Sequence, residues 1–159
     1  MNQFILNADD FGMSEAFNDA VLEGFKIGLL KSTSLTANGV AFDDAISRII
    51  PQAQGLSVGV HLNIIEGTAL SNGLNLLCDN HNEFNNSYIS LILNSYGTKR
   101  KEFLNQVEQE CRTQIEKILN VYPDISHIDS HVHTHAIPPI FKLVCKLAKE
   151  YKIPFIRTQ

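Results

Sequence analysis

His127-Ile128-Asp129-Ser130-His131-Val132-His133-Thr134-His135 runs through Ala136-Ile137 into Pro138-Pro139 and, further on, Pro154-Phe155-Ile156-Arg157. Read as extended chain, the first nine residues place His127, Asp129, His131, His133 and His135 on one face. Ile128, Ser130, Val132 and Thr134 fall on the other. The proline pair opens a helix over Ile140–Tyr151, because proline is tolerated in a first helical turn. Phe141, Val144, Cys145 and Ala148 are its inward residues. Pro154–Arg157 then starts a new strand. A strand, a helix and a strand in that order form a parallel βα unit.

The same alternation extends back to the N-terminus. Phe4–Ala8 reads as a buried strand running into the polar turn Asp9-Asp10-Phe11-Gly12. Ser14 caps a helix with the stripe Phe17, Ala20, Val21, Gly24, Phe25 and Gly28. Ser34–Val40 is a second strand, Phe42–Ile50 a short helix stopped before Pro51, and Leu56–Ile64 a third strand. Residues 65–98 form a long region rich in Asn, Gly and Ser, with Tyr88–Leu93 a short helix or strand; connections this long are often functional. Lys99–Val121 is the strongest helix. Phe103, Leu104, Val107, Cys111, Ile115, Ile118 and Leu119 line one face, and Glu110, Arg112, Glu116 and Lys117 lie mostly off it. With His127–His135 as the fourth strand, the expected fold class is α/β, a parallel (β/α) arrangement in one domain spanning 1–159.

Composition narrows the partners. The chain has 159 residues, 44% of them hydrophobic and 19% charged, which are ordinary globular values. A net charge of −4 offers no basic field, so no nucleic-acid partner is expected. No apolar run reaches the ~18–20 residues of a membrane span. Met1-Asn2-Gln3 followed by the short run Phe4-Ile5-Leu6 lacks the basic start and length of a secretory signal, so cytoplasmic residence is expected. Cys78, Cys111 and Cys145 are far apart and form no CxxC pair, which fits thiols in a reducing compartment.

In parallel α/β sheets the chemistry collects at the carboxyl ends of the strands, where loops leave and helix N-termini point. Asp9-Asp10 close the first strand. They read either as a helix cap beside a solvated carboxylate, or as one metal ligand beside a base, since adjacent carboxylates need a compensating cation or proton. Along the third strand Val58, Val60 and Leu62 share one face, and Gly59, His61 and Asn63 the other. His61 is either a ligand or a buried, hydrogen-bonded histidine. The fourth strand gathers four of the chain's six histidines. Imidazole is the commonest side-chain metal ligand, and a carboxylate such as Asp129 can fix the tautomer of a ligating histidine. Mixed oxygen and nitrogen donors without cysteine suit Zn²⁺, Mn²⁺, Co²⁺ or Mg²⁺ in a hydrolytic rather than structural site.

Four ordered motifs carry a resemblance. Asn7-Ala8-Asp9-Asp10-Phe11-Gly12-Met13-Ser14 with Asn18, Ser32-Thr33-Ser34-Leu35-Thr36-Ala37-Asn38-Gly39, Gly59-Val60-His61-Leu62 and His127–His135 resemble the YdjC-like carbohydrate deacetylases, which include the chitooligosaccharide deacetylases. Val132 stands where many relatives have a further histidine. The resemblance implies a barrel-like (β/α) fold and a hydrolase that removes N-acetyl groups from amino sugars or chitooligosaccharides. It implies one divalent metal ion, Mg²⁺ or Zn²⁺, held by Asp10, His61 and His131. Asp9 is then the general base, by further similarity to polysaccharide deacetylases, and His133 and His135 line the site, one of them protonating the leaving amine. An N-acetylated mono- or oligosaccharide is the expected partner, and a homodimer an expected assembly. Asn63, Glu66 and the 65–98 region are candidates for sugar contacts. Because relatives continue for roughly a hundred residues beyond Phe155, the barrel is expected to be incomplete, with about five strands of the usual eight or so.

Two other functions fit part of the sequence. A metal-dependent phosphoesterase or amidohydrolase also uses an HxH pair, though on the first strand, and a phosphoesterase calls for Lys or Arg at strand ends that read here as carrying none. An inactive truncated remnant that binds metal or sugar is the third.

Overall fold

The computed structural model describes residues 4–158; the expectation drawn from Met1-Asn2-Gln3 lies outside the described residues. Five strands, β1 (Asn7–Phe11), β2 (Ser32–Leu35), β3 (Ser57–Leu62), β4 (His127–Ser130) and β5 (Phe155–Ile156), form one parallel sheet in the order β1-β2-β3-β4-β5. The helices are α1 (Glu15–Lys26), α2 (Phe42–Asp44), α3 (Tyr88–Tyr96), α4 (Arg100–Val121) and α5 (Pro138–Glu150). Every strand lies beside its sequence neighbour, whereas a doubly wound sheet reverses its order at a switch point. The sheet also curls. The unpaired strands β1 and β3, and likewise β2 and β4, approach within 8 Å between Cα atoms, less than the ~9.6 Å of two flat inter-strand spacings. Sequential order and curl together make the architecture barrel-like.

The curl separates two chemistries. On the convex face, Leu35, Val58, Val60, Leu62 and Ile128 are buried in one core with Phe103, Val107, Cys111, Ile115 and Ile118 of α4 and Ile140, Val144 and Leu147 of α5. The concave face carries Asn7 and Asp9 of β1, Ser32 and Ser34 of β2, Gly59 and His61 of β3, and His127 and Asp129 of β4. Its polar groups satisfy one another: the Asn7 amide donates to Ser34 Oγ at 2.8 Å, and Ser32 Oγ donates to Asn7 Oδ1 at 2.6 Å.

Several elements differ from the sequence reading. The first strand is displaced: Phe4 and Ile5 are exposed, and β1 runs through Asp9-Asp10 to Phe11. Polar residues are stable there because the concave face supplies their partners. The register slips between Ala8 and Phe11, where Asp10 takes φ 62°, and this bulge re-aims its side chain. Ser14 caps α1 as expected, accepting from the Phe17 amide, but the buried face holds Asn18, Val21 and Leu22, with Phe17 half exposed. Asn18 turns the helix: its Oδ1 accepts from Gly12 N at 2.8 Å and its Nδ2 donates to Ala41 O at 3.0 Å. β2 is shorter than expected and Val40 is exposed. From α2 the chain continues in a π turn (Ala45–Ile49) and a 3-10 turn (Ile50–Gln52) that takes Pro51 at its start. On α5 the inward residues include Ile140, Leu143 and Leu147; Cys145 is exposed.

The long connection after β3 is tied down. Isolated bridges pair Thr68 with Glu83 and Cys78 with Phe84. Glu110, expected off the apolar stripe of α4, is fully buried; its oxygens accept from Leu70 N at 3.0 Å and Ser71 N at 2.8 Å. The nine-residue extended face expected for His127–His135 is also corrected. β4 ends at Ser130, and His131–Ala136 form a 3-10 segment in which Val132 (φ 44°) and His133 (φ 56°) are left-handed. Among the described residues no helix is long and apolar enough to cross a membrane.

Candidate metal centre

Three elements deliver the donors. The bulge in β1 presents Asp10, the carboxyl end of β3 presents His61, and the first residue after β4 presents His131. One donor atom from each lies within 4.8 Å of the other two. Asp10 Oδ1 stands 3.2 Å from His61 Nε2 and 2.8 Å from His131 Nδ1.

Each histidine is held from behind by a carboxylate. His61 Nδ1 is 2.7 Å from Asp129 Oδ1, and Asp129 is fully buried. His131 Nε2 is 3.1 Å from Glu66 Oε2, on a largely exposed side chain. Glu66 is placed by Asn63, whose Oδ1 accepts from Ile65 N and Glu66 N and whose Nδ2 donates to Glu66 O. An imidazole with one nitrogen turned inward and the other on a carboxylate is the arrangement of a ligating histidine, its tautomer fixed by the outer partner. The donor set of one carboxylate oxygen and two imidazole nitrogens, partly exposed at Asp10 and His131, fits a divalent cation with open positions.

The electrostatics of the centre follow from these contacts. The hydrogen bond from His61 holds Asp10 down at about 2, against the opposing effect of burial and with help from His131. Burial alone would lower the pKa of His61, but the hydrogen bonds to Asp10 and Asp129 outweigh it and raise it to about 9. Burial works against an ionised Asp129 as well; hydrogen bonds from His61 and Ser34 prevail, and its pKa lies below the usual carboxylate range.

Around this core the sequence-predicted residues separate. The side chain of Asp9 hydrogen-bonds to Arg157 and Asn7 rather than to the Asp10–His61–His131 trio. Its two oxygens accept from Arg157 Nη1, both at 2.8 Å, and Oδ1 also accepts from the Asn7 amide. Arg157 follows β5, so a strand end does carry a cation, contrary to the sequence reading. Its place was legible from the rule that chemistry gathers at carboxyl strand ends; its pairing with Asp9, 148 residues away, was not. His127 is a half-buried member of the concave face: Nε2 lies 3.0 Å from Ser34 Oγ and Nδ1 2.8 Å from Ser126 Oγ. Gly59 makes its space, since a Cβ there would collide with the His127 ring. Burial pushes the pKa of His127 down.

His133 and His135 have different surroundings. His135 is buried and uses both nitrogens, with Nδ1 2.6 Å from Ser130 Oγ and Nε2 2.9 Å from the carbonyl of Arg157. The carbonyl can only accept, so Nε2 carries the proton, and burial lowers the pKa of the ring. His133 Nδ1 is buried with no hydrogen-bond partner in the protein.

A curled parallel α/β chain with a mixed oxygen–nitrogen cluster at its strand ends has the barrel-type architecture, in which functional groups gather at the carboxyl ends of the strands. The family model for YdjC-like protein matches residues 3–159. A carbohydrate deacetylase of Listeria monocytogenes serotype 4b is 39% identical over 156 residues, covering 98% of this chain and 60% of that protein. One from Clostridium beijerinckii is 36% identical over 152 residues, covering 96% and 58%. A solved structure from Enterococcus faecalis V583, provisionally described as a cellobiose-phosphate cleavage protein, superposes with TM-score 0.80 at 26% identity, covering 95% of this chain and 57% of that one. The chain belongs to the YdjC-like family. It spans about three-fifths of the length of the curated relatives it matches.

Proposed function

We propose that this chain carries the catalytic centre of a carbohydrate deacetylase that hydrolyses the N-acetyl group of amino sugars, as mono- or oligosaccharides. The observation that supports it most is the Asp10–His61–His131 cluster, each histidine backed by a carboxylate, in a chain similar to proteins named carbohydrate deacetylase. Asp10, His61 and His131 would hold one divalent ion, Mg²⁺ or Zn²⁺, whose chemistry is to polarise the acetamide carbonyl and acidify a water.

The chain's own residues do the rest. Asp9, oriented by Arg157 and Asn7, accepts the proton of the attacking water as its oxygen bonds to the carbonyl carbon. Of His133 and His135, the second has both ring nitrogens engaged within the protein, so His133 is the one that donates a proton to the amine nitrogen as the C–N bond breaks. His135 supports from behind, its two nitrogens engaged within the protein. Acetate and a free amino sugar leave. The guanidinium of Arg157 is committed to Asp9 and Asp129, so it does not serve a phosphate as a phosphoesterase would require.

Acetate release from diacetylchitobiose tests the reading. Release should stop with EDTA and return with Mg²⁺ or Zn²⁺. Release that survives full chelation removes the metal from the mechanism. Metal retained at one equivalent without acetate release favours the non-catalytic remnant.

A further inference from the structure

Besides the largely exposed Glu66 beside His131, three buried or half-buried carboxylates converge at the centre, those of Asp9, Asp10 and Asp129. The metal centre proposed above, on which this inference rests, uses only Asp10. Asp9 and Asp129 belong to a second group of donors: one atom each from Asp9, His61 and Asp129 lies within 4.8 Å of the others. Paired carboxylates beside a first metal are the setting in which hydrolases hold a second divalent ion.

That position is already filled by a side chain. Arg157 Nη1 donates to both oxygens of Asp9 at 2.8 Å and stands 3.3 Å from Asp129 Oδ2. The arginine is held from its backbone on both sides. Its N–H donates to Ile128 O at 3.0 Å, and its carbonyl accepts from His135 Nε2. His135 is fixed in turn by Ser130 Oγ, which accepts from His135 N at 2.9 Å and lies 2.6 Å from Nδ1. A buried histidine thus anchors the end of β5 and delivers the guanidinium to the carboxylates.

Charge gives the arrangement its meaning. A fully buried carboxylate such as Asp129 needs a cation close by. One divalent ion and one guanidinium together neutralise the three carboxylates. A second divalent ion beside the same guanidinium would leave the cluster strongly positive. We propose that Arg157 occupies the second cation position of this centre, so that the chain binds one metal ion rather than two and Asp9 stays free of metal to act on water. His135 is the positioning residue that keeps it there.

Counting bound Mn²⁺ by EPR on the full chain, after removal of metal with EDTA and desalting, tests this without any activity measurement. Manganese suits carboxylate-rich sites. The unsubstituted chain and Arg157→Lys should each take up one equivalent. Arg157→Ala should take up two, and Arg157→Ala combined with Asp9→Asn should return to one. Two equivalents in the unsubstituted chain, or a single equivalent in a folded Arg157→Ala, would falsify the inference while leaving the first centre intact. If Arg157→Ala does not fold, Arg157→Gln, uncharged and still long, takes its place, and the count in the unsubstituted chain still decides. No uptake by the unsubstituted chain overturns the metal centre and this inference together.

Discussion

His61 reaches two carboxylates with two ring nitrogens, Asp10 through Nε2 and Asp129 through Nδ1. These contacts predict different outcomes for neighbouring substitutions. Asp10→Ala, His61→Ala and His131→Ala should each abolish stoichiometric metal binding, measured by metal analysis after desalting; full occupancy in any of them removes that residue from the centre. Asp129→Asn should keep the site but weaken metal affinity about 10–100-fold, because only the outer partner of His61 changes. An unchanged dissociation constant would show that Asp129 does not orient the ligand. The same contacts set the pH response of the chelated protein. The pKa of His61 is raised from 6.5 to about 9, so its contribution to stability is full below pH 6.5 and lost as pH rises through about 9. The pKa of Asp10 is lowered from 3.8 to about 2, so its contribution is present above 3.8 and lost as pH falls through about 2. The urea midpoint of the metal-free chain should therefore fall between pH 6.5 and 9. A midpoint that rises over that interval contradicts the His61–Asp10–Asp129 pairing.

At the scale of elements, the segment after β4 shows what a sequence pattern can and cannot carry. Alternation along β3 is legible, because Val58, Val60 and Leu62 face an apolar core while Gly59 and His61 face the polar concavity. In His127–His135 the same alternation continues on paper, but the chain leaves the strand at Ser130. Two left-handed residues then turn His131 toward Asp10 and bury His135. Nothing in the residue types announces this, since Val132 is β-branched and resists positive φ. The strain predicts a stabilising change. Val132 is half exposed, so Val132→Asn gives up little packing and should raise stability by about 1 kcal/mol, seen as a higher urea midpoint. A lower midpoint would mean that the Val132 side chain contributes more than its backbone costs. The shifted β1 and the turned α1 have a similar origin. Phe4-Ile5-Leu6 looks like a buried strand, while Asn7, Asp9 and Asn18 look like loop or surface residues. Their burial depends on partners far along the chain, among them Ser34, Arg157 and Ala41.

Across the whole molecule, the class of fold and the order of its motifs were readable because each βα unit is local. The curl of the sheet was expected only through the family resemblance, and the Arg157 contact not at all, because both join residues separated by much of the chain. The thiols illustrate the layering that results. All three cysteines are free; Cys78 and Cys111 are buried, and Cys145 is exposed on α5. Burial raises the pKa of Cys78 to about 11 and pushes that of Cys111 up as well. A disulfide-exchange reagent at pH 8 should therefore label one thiol quickly in the folded chain and the other two only on unfolding. Two fast thiols would show that the core under α4 or the long connection opens readily. The donors themselves ride on the first and third strands and on the residue just past the fourth, across a bowed surface rather than on one stiff loop. The span between them consequently widens or narrows with that bow, and the bow is set by packing beneath it. Resizing a methyl group under α4 or α5, remote from every ligand, would reset the aperture. A slacker one would admit larger ions with metal–oxygen distances of about 2.3–2.6 Å, and a tighter one would keep to the ~2.0–2.1 Å of magnesium.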